Sequence, residues 1–323
     1  MLVKKLLVLV LLQGFLYLSV HGQGCSDAGF CTMGAMKPDQ VFNKKIKLKL
    51  RSIELSYYRG KSTLTPIITV INLDAGFSIT KNLSGQIKLP YYSVKGNFDN
   101  TSALGDISLS LTQRLIDTET FDLSATVGVK IPTNDSAIKS SGKKVAGSEG
   151  LVLPMYYQTS LGSFDVVAGA SLISSKWLFA TGIQMALTAN NNTWWAKEWL
   201  DPPIYPSEDY VRAYDDANLL KRGTDIMFRV ERNFRFAKYS FNIGLLPIFR
   251  ISKDQTVDRN TGEYRKLDGT TGMALTALAG AAYNFNINNT VKVTFGRKIT
   301  DREVNPDGLT RHSVFILGYQ FRF

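Results

Sequence analysis

The last thirteen residues of the chain, 311–323, read RHSVFILGYQFRF, and apolar and polar side chains alternate along them. One face carries Phe315, Leu317, Tyr319, Phe321 and Phe323, and the other carries His312, Gln320 and Arg322. Successive side chains of a β-strand point to opposite faces, so this period of two predicts a strand with one apolar face that runs to the final residue. A soluble β-sandwich also alternates, but it rarely ends on a fully aromatic face without a tail.

The same period of two recurs upstream. In residues 106–115 the odd positions are mostly apolar and the even positions polar, and residues 121–131 repeat this pattern after a short turn. Strands of membrane barrels are about 10 residues long, apolar towards lipid and polar towards the lumen. The pattern therefore predicts an all-β fold, a transmembrane antiparallel β-barrel. Further segments with this alternation are 67–80, 86–94, 151–161, 164–172, 177–188, 225–232, 239–251, 273–285 and 291–298.

Adding a segment at residues 45–58 brings the number of strands to 13, although bacterial barrels usually have an even number. One segment is therefore not a barrel strand. The segment 45–58 is one suspect because its apolar residues change face midway, which indicates a bulge or a break. Residues 164–188 are the other, because counting strands from the two termini assigns them opposite directions. We expect 12 to 14 strands and favour 14.

The N-terminus has the features of an export signal. Two lysines precede the apolar run 6–20, and small residues follow it. The alternative is a membrane anchor, but a spanning helix needs about 20 apolar residues. We expect cleavage after Gly22, which divides the chain into a signal peptide (1–22), a periplasmic N-terminal segment or lumen plug (23–44) and the barrel (45–323). This organisation predicts a multi-pass protein of the bacterial outer membrane.

Two cysteines, Cys25 and Cys31, follow the expected cleavage site directly. An oxidising periplasm permits a disulfide that closes a small loop between them. Acylation of Cys25, as in a lipoprotein, is the competing interpretation. Gly22 stands where such a signal usually has leucine, which argues against acylation.

The chain carries a net charge of +11. Its lysines and arginines are spread along the sequence and form no single stripe, and an exported protein does not meet nucleic acid. We therefore expect no nucleic-acid partner. An anionic lipopolysaccharide surface, together with the outer-membrane lipid, fits the charge, and so does a pore lining that tolerates anions.

Three short motifs resemble a known family: LGD at residues 104–106, GVKIPT at 128–133 and YQTSLG at 157–162. Within residues 100–190 the chain resembles the barrels of phenol meta-cleavage pathways, in the wider group of FadL-type transporters of hydrophobic compounds. The resemblance implies passive diffusion of a small hydrophobic molecule through a barrel that an N-terminal segment plugs. The chain lacks the Asn-Pro-Ala of that group near its mature N-terminus.

Two further likenesses concern other parts of the chain. Residues 229–236 and 244–251 are similar to outer-membrane proteins of Bacteroidetes and imply no function. The C-terminal pattern resembles the terminal signal that the outer-membrane insertion machinery reads, with Phe323 as its last residue.

We expect no catalytic site, metal site or cofactor. His312 is the single histidine of the mature chain, which argues against a metal site with several histidines or a Ser/His pair. Charged residues at lumen-facing positions are instead candidates for ion pairs that stiffen the lumen or line a pore. These candidates are Asp106, Lys130, Asp165, Asp225, Arg229, Glu231 and Arg250.

The longest predicted connection, residues 190–219, is rich in aromatic side chains. A loop of this length is usually functional, and exposed aromatics must pack against something. The loop itself, the barrel mouth and a ligand remain open alternatives. The candidate ligand-binding residues are Trp194, Trp195, Trp199, Tyr205 and Tyr210. The loops 134–150 and 253–272 have the composition of solvated extracellular loops.

Three classes of function follow from these patterns. The first is a channel for small hydrophobic molecules. The second is a non-catalytic accessory or structural subunit of a larger outer-membrane complex. The third, an enzyme, has the least support because the mature chain offers no recognisable catalytic group.

Overall fold

The computed structural model describes residues 33, 36–37, 49–201, 204–205 and 207–323. The predicted signal peptide and most of the predicted N-terminal segment lie outside these residues. Cys25 and Cys31 also lie outside them, so their disulfide stays a prediction.

Strands dominate the described part of the chain. Two short helices, α1 (Ala196–Leu200) and α2 (Glu208–Arg212), lie between the strands. No helix among the described residues is long and apolar enough to cross a membrane. The strands are β1 (Lys49–Ser62), β2 (Ile67–Ser78), β3 (Leu83–Lys95), β4 (Asn100–Leu104), β5 (Ile107–Asp117), β6 (Phe121–Ile131), β7 (Asp165–Ser174), β8 (Trp177–Ala186), β9 (Asp225–Arg235), β10 (Tyr239–Arg250), β11 (Gln255–Val257), β12 (Tyr264–Lys266), β13 (Gly272–Asn284), β14 (Asn289–Thr300) and β15 (Arg311–Arg322).

The sheet closes on itself. Neighbouring strands pair antiparallel, and β1 pairs with β2 on one side and with β15 on the other, where Ile53 lies opposite Phe321. Within the described residues the closed ring contains twelve strands, and the short β4 is additional. The predicted all-β antiparallel barrel is therefore confirmed, with the smaller of the two strand numbers that the sequence allowed.

The additional strand results from a break opposite a proline. β3 pairs with β4 along residues 91–95 and with β5 along residues 83–88. Pro90 has no N–H to donate to the ladder, and its carbonyl accepts from the Gly105 N–H at 2.8 Å. β4 and β5 are thus one strand interrupted at Gly105 and Asp106.

The segment that made the count odd is 151–161, and its prediction as a barrel strand is wrong. It forms an isolated bridge between Val152 and Lys139 and a 3₁₀ turn at Met155–Tyr157. Residues 152–160 are all buried, so their side chains do not divide into two faces as in a barrel wall. The described part of the first suspected segment, residues 49–58, lies in β1, and the second, residues 164–188, contains β7 and β8.

The two ends of the barrel differ in their connections. At the turn end, where β1 begins and β15 finishes, the connections span two to four residues, such as 175–176 and 236–238. The other end, the loop end, carries the long connections 132–164, 187–224 and 251–271. Short turns at one end and long loops at the other are typical of outer-membrane barrels.

The outer face of the barrel is apolar and exposed. Leu55, Val127 and Ile243 point outward and are 53%, 60% and 58% exposed. At the turn end, Trp177 and Phe234 also point outward, and the Arg232 guanidinium lies 5.0 Å from the Trp177 ring centre. Contiguous apolar surface of this kind marks a membrane or partner contact in a stable protein.

Candidate functional site in the barrel lumen

An aromatic core fills the loop end of the lumen. At its centre is Phe98, which lies in the short connection between β3 and β4. The Phe98 side chain is fully buried. Aromatic pairs with ring centres 4.5–7 Å apart stabilise each other beyond the burial of their area. The rings around Phe98 are Trp199 at 4.7 Å, Tyr205 at 5.0 Å, Tyr214 at 5.1 Å, Tyr210 at 5.3 Å, Trp194 at 5.4 Å and Tyr157 at 5.6 Å.

The predicted ligand-binding aromatics therefore divide into two groups. Trp194 and Trp199 are 0% exposed and pack inside the core, which favours the capping interpretation for both. Trp195 is 38% exposed, and the Arg259 guanidinium and the Lys197 ammonium lie 5.1 and 5.5 Å from its ring centre. Trp195 borders an open groove lined by residues of α1 and α2, together with Tyr205.

The long loops hold one another in place over this core, and we call them together the loop cover. The Asn192 amide donates to the Ser136 carbonyl at 2.8 Å, and Arg259 donates to the carbonyls of Thr193 and Trp194, each at 2.8 Å. The Trp199 indole N–H donates to the carbonyl of Val152 at 3.3 Å. The hydrogen bonds thus join loops 132–164, 187–224 and 251–271.

The predicted solvated loop 134–150 is only partly solvated, which corrects the sequence-based expectation. Ser136, Ser140 and Ser148 are buried, because their hydroxyls bond within the loop cover. The loop 253–272 contains the β11–β12 hairpin, whose residue Tyr264 is 50% exposed. Its base is buried at Asp254. Serine-rich composition did not distinguish a loop that folds inward from one that faces water.

Beneath the loop cover lies a layer of buried ion pairs centred on Arg250. Its guanidinium bonds Asp225 at 2.7 Å, Asp254 at 2.8 Å and Asp307 at 3.0 Å. Asp225 and Arg250 belong to adjacent strands, whereas Asp254 and Asp307 come from two loops. One lumen-facing arginine therefore ties the loop cover to the barrel wall.

Arg302 joins the same layer, with its guanidinium 3.4 Å from the Asp307 carboxylate. Burial alone would raise the pKa of Asp307, but the charges of Arg250, Arg302 and Arg222 outweigh burial and hold that pKa well below its usual range. Asp307 therefore remains ionised and available to these arginines at any physiological pH.

A second set of ion pairs involves the other predicted lumen residues. The Lys130 ammonium lies 3.1 Å from the Asp106 carboxylate, and Asp106 also accepts the Leu161 N–H at 2.9 Å. Asp165, at the start of β7, pairs with Arg222 from the loop before β9. These pairs again join the wall to the loops, so they stiffen the loop end of the barrel.

Arg229 and Glu231 form a separate pair on the same strand, with Arg229 Nε donating to Glu231 at 2.6 Å. Asn242 on the next strand donates to Glu231 at 2.9 Å. All three residues belong to strands of the barrel wall.

One side of the lumen wall is apolar. We define the apolar wall as the buried lumen-facing residues Val167, Leu178, Ala180, Met227 and Leu246, on strands β7 to β10. Met33 and Met36 of the N-terminal segment pack against it and are 3% and 0% exposed.

A charged cluster joins Lys37 of the N-terminal segment to lumen-facing residues of β1, β2 and β14. The Lys37 ammonium lies 3.1 Å from the Glu54 carboxylate and 3.4 Å from the Asp74 carboxylate. Lys292 lies 3.6 Å from Glu54, and a cavity of about 60 Å³ that Lys88 also lines adjoins the cluster. The described N-terminal residues thus contact both sides of the lumen.

Sequence reasoning placed the wall residues but missed their partners. Phe98, Arg222, Asp254, Asp307 and Lys37 were not singled out. Each lies outside the barrel strands, where the period of two makes no prediction about direction.

His312 was the remaining residue considered for catalysis or metal binding. His312 lies on β15 and is half-buried on the lumen side. Among the described residues, no group of three histidine, cysteine or acidic side chains is arranged to hold a metal ion.

No protein-family model matches the sequence, and no curated protein matches it. Solved structures of outer-membrane barrels do align with the chain. A NanC porin aligns over 84% of this chain and 100% of its own, at 7% identity and a TM-score of 0.45. The KdgM porin covers 84% and 99% at 8% identity and 0.41. Outer membrane phospholipase A from Escherichia coli covers 85% and 98% at 7% identity and 0.39. At these identities and TM-scores, we transfer no function from these proteins.

Proposed function

We propose that the protein is an outer-membrane channel through which small hydrophobic molecules diffuse passively. The apolar wall carries this proposal. The interior of a water-filled porin is polar, whereas here Val167, Met227 and Leu246 belong to one apolar cluster on the lumen side, which Met33 and Met36 cover. Such a surface offers a hydrophobic solute contacts that water-filled pores lack.

The location in the outer membrane is part of the same proposal. The exposed apolar belt matches a lipid contact, and the long loops face the outside if both ends of the barrel chain are periplasmic. The net charge of +11 suits contact with anionic lipopolysaccharide. Insertion by the outer-membrane machinery would use the terminal strand that ends at Phe323.

Replacing Phe323 with serine is expected to lower the yield of assembled barrel without abolishing it. Phe323 is 66% exposed on the outer face and its backbone N–H donates to the Arg51 carbonyl at 2.9 Å, so the change removes an apolar contact and leaves the ladder intact. Outer-membrane fractionation and the shift in electrophoretic migration on boiling in detergent measure assembly. Recovery of the wild type in the soluble periplasm would refute the membrane location.

In this proposal, two groups of described residues restrict passage. The loop cover closes over Phe98 at the loop end, while Met33, Met36 and Lys37 occupy the lumen below. Trp195 is an exposed aromatic residue of the cover and borders the open groove. A solute would first contact Trp195 and would then have to displace parts of both obstructions to reach the apolar wall.

Replacing Leu246 with asparagine is expected to slow the uptake of hydrophobic solutes about thirtyfold, because a buried leucine contributes about 2 kcal/mol of apolar contact. Leu246 is 1% exposed and faces the lumen. Cells that lack the protein would be complemented with wild type, Leu246→Asn or Trp195→Ala, and uptake of an aromatic hydrocarbon and a long-chain fatty acid would be measured.

Ser110→Ala is the matched control, since Ser110 is also buried and faces the lumen from the polar side. Equal uptake by Leu246→Asn and Ser110→Ala at equal assembled yield would remove the apolar wall as the reason for the proposal.

An accessory subunit of a larger complex is the second candidate. The observation in its favour is the dense packing of the loop cover, in which Trp194, Trp199 and Phe98 are fully buried. A subunit that is closed in this way would restore no uptake of any hydrophobic compound and would co-purify with a stable partner in mild detergent. That combination of results would replace the channel proposal.

A further inference from the structure

We propose that the lumen position occupied by Met33, Met36 and Lys37 is a binding site for an amphipathic cation, a small molecule that joins an apolar group to an ammonium group. The proposal deepens the proposed channel function and rests on it for its physiological meaning. In the structure, Met33 and Met36 occupy the place of the apolar group, and the Lys37 ammonium occupies the place of the ligand's ammonium group.

The cationic part of the site lies between two carboxylates. The Lys37 ammonium is 3.1 Å from Glu54 and 3.4 Å from Asp74, whose side chains are only 9% and 7% exposed. Gln86 donates to the second oxygen of Asp74 at 2.9 Å and orients it. Two low-exposure carboxylates that converge on one ammonium form a position suited to a single positive charge.

The apolar part of the site is shaped to fit its occupants. A Cβ at Gly169 would lie 2.5 Å from the Met36 sulfur, and a Cβ at Gly128 would lie 2.8 Å from the Met33 terminal methyl group. Both glycines face the lumen, and both therefore allow a side chain to lie directly against the wall backbone. The Met36 N–H donates to the Met33 carbonyl at 3.0 Å, and both side chains belong to the same apolar cluster.

The charge of the wall decides which ligand fits. Lys292 lies 3.6 Å from Glu54 and Lys88 lines the adjoining cavity, whereas the Lys37 ammonium contacts both carboxylates. An anionic group in place of the Lys37 ammonium would lie beside two carboxylates and would be repelled. A neutral group would leave Lys292 beside Glu54 but would remove the ammonium that lies 3.4 Å from Asp74, which is costly at low exposure.

An external cation has to compete with the Lys37 ammonium for the two carboxylates, and this competition sets its expected affinity. Lys37 is covalently attached, so its effective concentration at the site is high and an external cation binds weakly to the wild type. Removing the Lys37 ammonium should expose the carboxylates and increase the affinity for a cation, while the apolar wall stays unchanged.

Calorimetric titration of the full-length protein in non-ionic detergent tests the site with three matched probes: 2-phenylethylammonium, 2-phenylethanol and 3-phenylpropanoate. We expect 2-phenylethylammonium to bind Lys37→Gln at least about tenfold more tightly than wild type, which corresponds to about 1.4 kcal/mol. The same probe should bind Lys37→Gln/Glu54→Gln/Asp74→Asn no more tightly than wild type. The alcohol and the carboxylate should show no gain in Lys37→Gln.

Several results would overturn the proposal. Equal binding of all three probes would indicate partition into apolar surface without a cation site, and preference for the carboxylate would reverse the assigned charge. Unchanged affinity in Lys37→Gln, with normal migration of the folded barrel, would show that Lys37 does not occupy the site. The titration measures binding and not uptake. If the cation does not bind as expected but uptake is preserved, the channel proposal stands. If the cation binds as expected but the wild type restores no uptake, the cation site stands and the channel proposal fails.

Discussion

Replacing Arg250 with alanine is expected to lower the free energy of unfolding of the loop end by about 3–5 kcal/mol, the usual cost of leaving buried charges without their partner. The Arg250 side chain is 1% exposed and is bonded to Asp225, Asp254 and Asp307. Its removal leaves three buried carboxylates with Arg302 as their remaining close cation, 3.4 Å from Asp307.

Because Asp254 and Asp307 belong to loops, the loss is expected to loosen the loop cover before it unfolds the barrel. Limited proteolysis of the long loops, and the temperature at which migration of the folded form is lost, measure the two steps separately. Arg212→Ala is the matched control, since the Arg212 side chain is 62% exposed and bonds a similarly exposed Glu208. Equal protease sensitivity of the two variants would contradict the role of Arg250 as the link between wall and loops.

Replacing Phe98 with alanine is expected to open the loop end of the lumen. Truncating a fully buried phenylalanine costs about 3–5 kcal/mol, and this ring contacts six other aromatic rings within 6 Å. The cavity left behind would lie among Trp194, Trp199 and Tyr214, which come from a single long connection. The cover would lose its common centre, while the paired strands of the barrel would remain.

The conductance of purified protein in planar lipid bilayers measures this opening. We expect Phe98→Ala to conduct more than wild type and to show more frequent open states, at an unchanged yield of folded barrel. Phe285→Ala is the control, because Phe285 is 55% exposed in a connection at the turn end. A conductance of Phe98→Ala equal to that of the control would show that the aromatic core does not close the lumen.

The Arg250→Ala and Phe98→Ala predictions concern a charged residue and an apolar residue, and both residues hold the loop cover of the proposed channel. Arg250 holds the loops through charge, and Phe98 holds them through apolar packing. If either change raises solute uptake in cells, the loop cover restricts passage. If neither does, the restriction lies with the N-terminal residues Met33, Met36 and Lys37.

Much of the barrel could be predicted from the sequence, because the period of two is a local property. Each strand separates lipid from lumen, so alternate side chains face opposite sides of the wall. Whether a side chain faces lipid or lumen can therefore be predicted from its neighbours along the strand, without knowledge of distant contacts. The terminal strand, which the structure ends at Arg322, and the inward direction of Asp225 and Arg250 followed from this alternation alone. The same rule failed at residues 151–161, of which 152–160 are all buried, because this segment belongs to the loop cover.

The candidate site was decided by tertiary structure. Trp194 and Trp199 look the same as Trp195 in the sequence, yet only Trp195 remains exposed, because Phe98 from a distant connection packs against the other two. The sequence by itself determined which side chains of the wall face the lumen, since that depends on neighbours along one strand. Only the closed barrel decided what those side chains meet, because the ion partner Asp307 and the lumen occupant Lys37 reach the wall from loop and N-terminal segments whose direction no local period encodes.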